Sequence, residues 1–307
     1  MKDKIFDNLR RIIMKKILLF NLPYPFEKKQ VYMPSTLIAV GAQLIEAGFA
    51  VELIDLNLFT LEEPAVQNKI SLADFIGTSL VGSSNIPDAI KFSNRVLGIN
   101  PHAKILIGGQ VIEGLSNDQF RYLFGTRPIQ ITDEPTLKNA LEIGQLFDIF
   151  AIDCVKMYQT IPDDVMRMYL EREAGLFVSQ GCRFACRFCG AAKGRPERWR
   201  SMKGLHDDLI YLTEKAKEFG LSKMQFYIST LDMFQSPRLI AEFLTVVGDM
   251  SEQSGVTISI RGLSCISSFI TAYKLLPNFH ELVTDVTQKN SNVANTSHFS
   301  NQPIPLA

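Results

Sequence analysis

The sequence predicts an α/β protein in which an N-terminal doubly wound parallel sheet precedes a partial (βα) barrel. Three observations support this fold class. Short apolar runs alternate with segments of helical period over residues 16–148, and the same alternation resumes over residues 175–282. Glycines also recur at or just beyond the predicted strand ends, where such sheets bind their ligands. The chain has 307 residues, enough for two domains that each bury a core.

The N-terminal sheet is predicted from repeated strand and helix units. Residues 16–21 form an apolar run that ends at a Pro-Tyr-Pro loop. A helical pattern over residues 34–47 stops at Gly48, and the next strand is predicted at residues 51–56. A further strand, helix and strand are predicted at residues 75–80, 87–96 and 104–107. Successive crossover units of this kind form an open parallel sheet with helices on both faces.

The second half of the chain repeats the alternation after an irregular stretch. Residues 149–174 are predicted to be a connector, and strands are then expected at 175–179, 223–229 and 256–261, with helices at 204–219 and 237–249. These are steps of a parallel barrel, whose working loops lie at the carboxyl ends of the strands. Residues 1–15 are predicted to be a leader without chemistry, and residues 283–307 a disordered polar tail.

Composition excludes several classes of partner. The formal net charge is +0, so the chain lacks the basic excess that sequence-independent nucleic-acid binding needs. No apolar run approaches the roughly 20 residues that span a bilayer, and no secretory signal precedes the first predicted strand. We therefore expect a soluble cytoplasmic protein that acts on a small molecule or a peptide.

Three of the five cysteines crowd into one loop after the first strand of the predicted barrel. Cys182, Cys186 and Cys189 are spaced so that a single loop can wrap a cubic iron-sulfur cluster, each thiolate holding one iron. The fourth iron then has no protein ligand and can bind a substrate or cofactor. Arg183 and Arg187 place positive charge beside the thiolates, which favours their deprotonated form.

Other interpretations of these cysteines stay open at this point. Zinc usually takes four ligands, and the additional candidates are His206 and the distant Cys265. The cysteines could also be inert and buried. Cys154 and Cys265 are predicted to be small apolar core residues.

A second cofactor site is predicted at strand ends of the N-terminal sheet, at Gly77-Thr78-Ser79 and Gly108-Gly109. The alternative is that these glycines only serve tight turns. The Gly-x-Gly-x-x-Gly pattern that binds dinucleotide phosphates is absent from the first turn, which makes a nicotinamide cofactor a poor candidate.

The Cys-x-x-x-Cys-x-x-Cys loop, with Phe188 before its last cysteine, resembles that of the radical S-adenosylmethionine (SAM) superfamily. The resemblance implies that a 4Fe-4S cluster binds SAM through its open iron and that the reduced cluster cleaves SAM to a 5′-deoxyadenosyl radical. It also implies that Phe188 contacts the adenine. Arg200-Ser201 matches a basic and serine pair that follows this loop in many members.

The N-terminal half resembles the cobalamin-binding domain that precedes the barrel in one subgroup of that superfamily. The matching features are the Leu22 to Pro25 turn, the helix end at Gly48, and the strand ends at Gly77-Thr78-Ser79 and Gly108-Gly109. The resemblance implies a cobalamin without a histidine ligand, because the Asp-x-His-x-x-Gly signature is absent.

The chain departs from that superfamily at two points. Members usually complete a longer barrel, so the short one predicted here is either truncated or completed by a partner. The Gly-Gly-Glu element that binds the SAM amino group is missing, and Ser229, Thr230 or Asp232 in its place could accept those hydrogen bonds. Arg261 could bind the SAM carboxylate or ribose. The alternatives are that Ser229 and Thr230 only form the ordinary hydrogen bonds of a turn at a strand end, and that Arg261 only forms a surface salt bridge.

The leading functional hypothesis is a radical enzyme in which cobalamin carries a methyl group or takes part in another radical reaction. An electron donor such as flavodoxin or ferredoxin would reduce the cluster. The second hypothesis is a truncated, non-catalytic cofactor-binding or scaffold protein, and the third is a zinc-stabilised protein of unrelated function.

Overall fold

The structure is a computed structural model that describes residues 14–23, 31–184, 186, 195–276 and 279. The predicted polar tail and nearly all of the predicted leader lie outside these residues. Within the described part of the chain, no helix is long and apolar enough to span a membrane.

The N-terminal half contains a five-stranded parallel sheet. Its strands are β1 (Lys16–Asn21), β2 (Ala50–Asp55), β3 (Phe75–Ser79), β4 (Lys104–Gly108) and the short β5 (Ile129–Gln130). They lie in the order β2-β1-β3-β4-β5, and each neighbouring pair is parallel. The order reverses between β1 and β3, and such a switch point opens a crevice at the carboxyl ends of the two strands.

Helices cover both faces of this sheet, as predicted for a doubly wound fold. They are α1 (Ser35–Glu46), α2 (Pro64–Ser71), α3 (Ile86–Ile99), α4 (Gln110–Glu113), α5 (Asn117–Phe124) and α6 (Glu134–Leu141). Alternate residues of β1 point to opposite faces, so Leu18 and Phe20 belong to one hydrophobic core and Ile17 and Leu19 to another.

The predicted connector is helical and buried. It contains α7 (Val155–Tyr158) and α8 (Asp163–Arg172), and α7 packs against α1. Met157, Tyr158 and Tyr169 are each at most 1% exposed. The core on the α1 side of the first sheet continues through these helices into the second sheet, so the segment joins the two halves by packing.

In chain order, the second half contains β6 (Ala174–Phe177), α9 (Met202–Glu218), β9 (Lys223–Ser229), α10 (Pro237–Ser254), β10 (Thr257–Arg261) and α11 (Ile266–Leu275). Its three strands form a parallel sheet in the order β10-β9-β6. Between β6 and α9, β7 (Ser179–Cys182) and β8 (Arg195–Trp199) form an antiparallel hairpin that the sequence did not predict.

The two faces of the second sheet differ in polarity. On β9, the buried Met224, Phe226 and Ile228 alternate with the more exposed Gln225 and Tyr227. The apolar face packs in the core that contains Leu209 and Leu212 of α9 and Ile240 and Phe243 of α10. The helices thus cover one face of the sheet, as they cover the outside of a (βα) barrel, and the opposite face is the more polar one.

Candidate functional site

The cysteine loop leaves the second sheet at the carboxyl end of β6. Cys182 is the last residue of β7 and is half-buried, while Cys186 is exposed. Cys189 and Phe188 lie outside the described residues, so their roles remain predictions. The hairpin of β7 and β8 therefore forms the stem of the loop and fixes the position of its first cysteine.

Gly181 gives the stem an irregular shape next to Cys182. Its φ angle is +106°, and an added Cβ would lie 2.2 Å from the carbonyl oxygen of Pro196. The register between β7 and β8 shifts between Gln180 and Cys182. Only glycine fits this combination of positive φ and close contact, and two residues of β8, Pro196 and Glu197, lie opposite it in a β-bulge.

A group of oxygen atoms holds the base of the stem against the turn after β9. Ser179 Oγ lies 2.7 Å from Glu197 Oε1 and 2.8 Å from Thr230 Oγ1. The hydroxyl of Ser236 donates to the other carboxylate oxygen of Glu197. The half-buried Glu197 thus links β8 to the two ends of this turn.

Two side chains from later elements reach the cysteine loop itself. Gln235 accepts a hydrogen bond from Arg183 N (2.8 Å) and donates to Gly181 O (3.2 Å). The Arg183 guanidinium donates to Ser268 Oγ on α11 (3.3 Å), and it also lies 5.0 Å from the centre of the Phe184 ring. Sequence reasoning missed Gln235 and Ser268, because their partners are 52 and 85 residues away.

Arg200, which follows the hairpin, is buried rather than directed at a ligand. It is 2% exposed, and its guanidinium donates to Asp208 Oδ2 and to the Ile152 carbonyl, both at 2.7 Å. Asp208 also accepts from Cys154 N at 2.8 Å. The pair ties β8, α9 and the start of α7 together. The following Ser201 caps α9 by accepting from Gly204 N.

Asp232 lies at the carboxyl end of β9 and already has three partners. Its carboxylate accepts from Ser264 Oγ (3.1 Å), Cys265 N (3.1 Å) and Ser268 Oγ (2.6 Å), and the residue is 2% exposed. It therefore fixes the start of α11. Ser229, the last residue of β9, is half-buried, and its carbonyl accepts from Val178 N.

Arg261 ends β10 on the polar face of the second sheet. Its guanidinium donates to Glu173 Oε1 (3.0 Å) and lies 5.7 Å from the centre of the Tyr227 ring. Glu173 is 5% exposed and also accepts from Gln225 Nε2 (2.8 Å), whereas the Arg261 side chain is 55% exposed. Burial raises the pKa of Glu173, partly offset by Arg261. The arrangement holds an accessible cation on the inner face.

The predicted cofactor residues of the first sheet divide into two groups. Gly77 is buried within β3, where an added Cβ would lie 3.0 Å from Leu19, and Thr78 Oγ1 donates to Phe20 O (2.9 Å). Ser79, Gly108 and Gly109 are half-buried at the carboxyl ends of β3 and β4. Only this second group lies where a ligand could approach the backbone.

A short loop beside these strand ends adds an exposed apolar residue that sequence reasoning missed. Val81 is 70% exposed and follows β3 at the switch point. Gly109 has a φ angle of +102°, and an added Cβ would lie 2.4 Å from the Leu80 carbonyl oxygen, so glycine is needed for this loop to approach β4.

The remaining cysteines differ from each other. Cys154 is 1% exposed, as predicted, and burial raises its pKa well above the usual value. The prediction that Cys265 lies in the core is wrong: it is exposed at the start of α11, because Asp232 holds its backbone N–H there. Hydrogen bonding to Ser267 lowers the pKa of Cys265.

His206, the nearby zinc candidate, is exposed on α9. Among the described residues, no group of three histidine, cysteine or acidic side chains could hold a metal ion. Of the three predicted cluster ligands, Cys182 and Cys186 lie within the described residues.

No protein-family profile matches the sequence, and no curated protein is detectably similar to it. Solved structures with a similar fold include radical SAM enzymes that bind cobalamin. The fold predicted from the two resemblances is therefore confirmed.

The particular structures belong to two enzymes, TsrM and OxsB. The radical SAM methyltransferase TsrM from Kitasatospora setae, with cobalamin and a [4Fe-4S] cluster, aligns with a TM-score of 0.53 and 11% identity over 78% of this chain and 53% of TsrM. With tryptophan and a SAM analogue bound, TsrM aligns with a TM-score of 0.58 and 11% identity over 89% of this chain and 57% of TsrM. OxsB, with aqua-cobalamin and SAM bound, aligns with a TM-score of 0.56 and 17% identity over 82% of this chain and 39% of OxsB. This chain thus spans between 39% and 57% of these longer chains.

The described residues fit the groups that this fold implies. Cys182 and Cys186 carry thiol sulfur of the kind that holds iron, and hydrogen bonds from Ser179 to Glu197 and from Arg183 to Gln235 hold the stem of their loop. The carboxyl ends of β3 and β4 present backbone without bulky side chains at the switch point, which suits a large planar cofactor.

Proposed function

We propose that this chain is a cobalamin-binding radical SAM protein in which Cys182, Cys186 and Cys189 hold a 4Fe-4S cluster. One observation carries the proposal. The cysteine loop lies at the carboxyl end of the first strand of the second parallel sheet, within a fold shared with TsrM and OxsB. The loops that form the active sites of parallel barrels occupy this position.

The cluster, when bound, supplies the electron that cleaves SAM, and cobalamin supplies a carrier for a methyl group. The residues of this chain would bind SAM and position the cysteine loop. Arg261, held by the buried Glu173, would bind the SAM carboxylate as an accessible cation. Ser229 and Phe188 would contact the same ligand. Asp232 would act indirectly, because Ser268, one of its donors, is the partner of Arg183.

The cobalamin site would be the crevice at the carboxyl ends of β1, β3 and β4. Ser79, Gly108 and Gly109 would border the cofactor, while the buried Gly77 and Thr78 would keep the strands close enough to form its floor. No histidine of the described chain lies at these strand ends, so the residues support binding without a histidine ligand to cobalt.

The substrate class and partners belong to the same proposal. We infer a small molecule or a peptide as substrate, methyl transfer or another radical reaction as outcome, and flavodoxin or ferredoxin as electron donor. The tryptophan bound to TsrM supports a substrate of that size. The domain limits at residues 16–148 and 175–282 and the cytoplasmic location remain predictions.

Anaerobic reconstitution with iron and sulfide tests the proposal. The expected product is a brown protein with about four irons per chain, as for one cubic cluster. Adding a reductant and SAM should then yield 5′-deoxyadenosine, and Cys182→Ala should abolish both the iron and the product. Zinc, or no metal, in the wild-type protein would contradict the proposal.

The alternative is a cofactor-binding protein without catalysis. It is supported by the second sheet, which has three strands in the described part of the chain and leaves β10 with one neighbour. A fully loaded cluster that yields no 5′-deoxyadenosine would favour this alternative over the enzyme.

A further inference from the structure

We infer that Gln235 is a positioning residue for the cluster, because its side-chain amide brackets the first cysteine ligand. Oε1 accepts from Arg183 N at 2.8 Å and Nε2 donates to Gly181 O at 3.2 Å, so the amide binds the backbone on both sides of Cys182. Gln235 is 7% exposed. The inference rests on the proposed function and adds a residue that acts through the backbone of the loop.

The hairpin does not pair the backbone that Gln235 binds. β7 pairs with β8 at Gln180–Arg198 and Cys182–Arg195, so Gly181 and Arg183 lie outside the paired residues. Two residues of β8, Pro196 and Glu197, lie opposite Gly181, and such a bulge disrupts the ladder locally. The Gln235 amide offers one donor and one acceptor, as a neighbouring strand would, and therefore completes the pairing where the chain leaves the hairpin.

Gln235 is itself held firmly. Its backbone N–H donates to the Asp232 carbonyl at 3.1 Å, and the Asp232 carboxylate binds the start of α11. The next residue, Ser236, donates to Glu197 of β8. The backbone that carries the Gln235 side chain is thus anchored, and an anchored residue loses less conformational entropy when it orders the loop.

Gln235→Met and Gln235→Glu separate this role from a general contribution to stability. Methionine has similar length but makes neither bond, whereas glutamate keeps an acceptor for Arg183 N and places a second acceptor against Gly181 O. Gln43→Met is the matched control, because Gln43 is also buried (4% exposed) and donates to a backbone carbonyl, that of Phe147, in the N-terminal half.

The first measurement is amide hydrogen exchange of the protein without cluster. Exchange at Arg183 should accelerate by about tenfold in Gln235→Met, the change expected for losing one to two neutral hydrogen bonds, and should be unchanged in Gln43→Met.

The second measurement is anaerobic release of iron from the reconstituted protein to a chelator. Release should be about tenfold faster in Gln235→Met than in wild type and in Gln43→Met.

The reduction potential gives a readout that a general loss of stability would not change. Gln235→Met adds no charge, so a cluster potential that differs from that of wild type and of Gln43→Met would report a changed position of the cysteine loop. Wild-type rates of exchange and iron release in both Gln235 variants would overturn the inference alone. Loss of the whole fold in both would also overturn it, by assigning Gln235 to domain stability. Absence of any cluster in the wild type would overturn the proposed function, and this inference with it.

Discussion

At the scale of single residues, the Arg200–Asp208 pair is the most deeply buried ion pair near the site among the residues that the structure describes. Both side chains are fully buried, and the pair joins the end of β8 to α9 and to the backbone before α7. Such a pair adds little net stability compared with an apolar substitute, but it is costly to break from one side, because the other charge remains buried. Its role here is to fix the register of the hairpin on the core.

Replacing Arg200 with methionine should therefore lower the free energy of unfolding by about 3–5 kcal/mol, measured by urea denaturation. Arg198→Met is the matched control, because Arg198 pairs with Asp148 at the surface and should cost at most about 1 kcal/mol. Equal effects of the two substitutions would show that the buried pair has no special structural role.

The buried Glu173 gives a prediction about pH. Burial raises its pKa above the ordinary value of 4.5, so the folded state binds the proton more tightly than the unfolded state. The contribution of Glu173 to stability is then complete below that ordinary pKa and is lost as pH rises through the folded pKa.

Glu173→Gln removes this ionisation. The unfolding free energy of the variant, minus that of wild type, should increase as pH rises from below 4.5 to neutral. Urea denaturation at several pH values measures it, with the exposed Glu214→Gln as a control for removing a charge. A difference that stays constant or falls as pH rises would contradict the raised pKa of Glu173 in the folded state.

At the scale of secondary-structure elements, the hairpin of β7 and β8 determines where the cysteine loop begins. Gly181→Ala should destabilise it by about 1–3 kcal/mol, because alanine must adopt a positive φ and contact the Pro196 carbonyl. The iron content of the reconstituted Gly181→Ala protein should also be lower than that of wild type. Gly255→Ala is the control, since Gly255 has a positive φ without close neighbours and should cost about 1 kcal/mol while leaving iron content unchanged. Normal iron content in Gly181→Ala would contradict this account.

The loops at the carboxyl end of the first sheet give a matched pair of exposed apolar residues. Val81 and Leu72 are 70% and 65% exposed and lie at opposite ends of β3. Val81→Arg should weaken hydroxocobalamin binding, measured by equilibrium dialysis, by at least about tenfold, because the long cation enters the crevice. Leu72→Arg should bind as wild type does. Equal binding by both variants would place cobalamin elsewhere.

The sequence predicted strands and helices best where apolar runs are continuous. β1 and β9 have the predicted limits, because each run is bounded by polar or turn residues. The hairpin was missed because β8 (Arg-Pro-Glu-Arg-Trp) is mostly charged and contains Pro196, so its pairing depends on Glu197 and on the partner strand. α7 and α8 were missed because burial against α1 and the second sheet, rather than a regular local pattern, stabilises them.

The candidate site was predictable only where its residues form a local pattern in the sequence. The spacing of the cysteines is local and visible, and so are the glycines at strand ends. The hydrogen bonds of Asp232 and Gln235 join residues 32 to 54 positions apart, and no local pattern encodes such partners. Asp232 was expected to face a cofactor, yet its carboxylate is used to hold α11 and, through Ser268, the loop.

At the scale of the whole molecule, both candidate cofactor positions lie at carboxyl ends of parallel strands. The sheets share one continuous core, with α1 packed on β2, β6 and α7. Because a close-packed core is nearly incompressible, the stem of the cysteine loop and the crevice of the first sheet should keep a fixed separation. If both proposed cofactors bind, this core would hold them at a constant distance from each other.

The central claim is that three thiolates hold an iron-sulfur cluster with one iron open to SAM. Mössbauer spectroscopy of protein reconstituted with ⁵⁷Fe tests it directly, before and after SAM is added. We expect about four irons per chain, of which one changes its spectrum when SAM binds. A spectrum that SAM leaves unchanged, or a protein that holds zinc in place of iron, would contradict it.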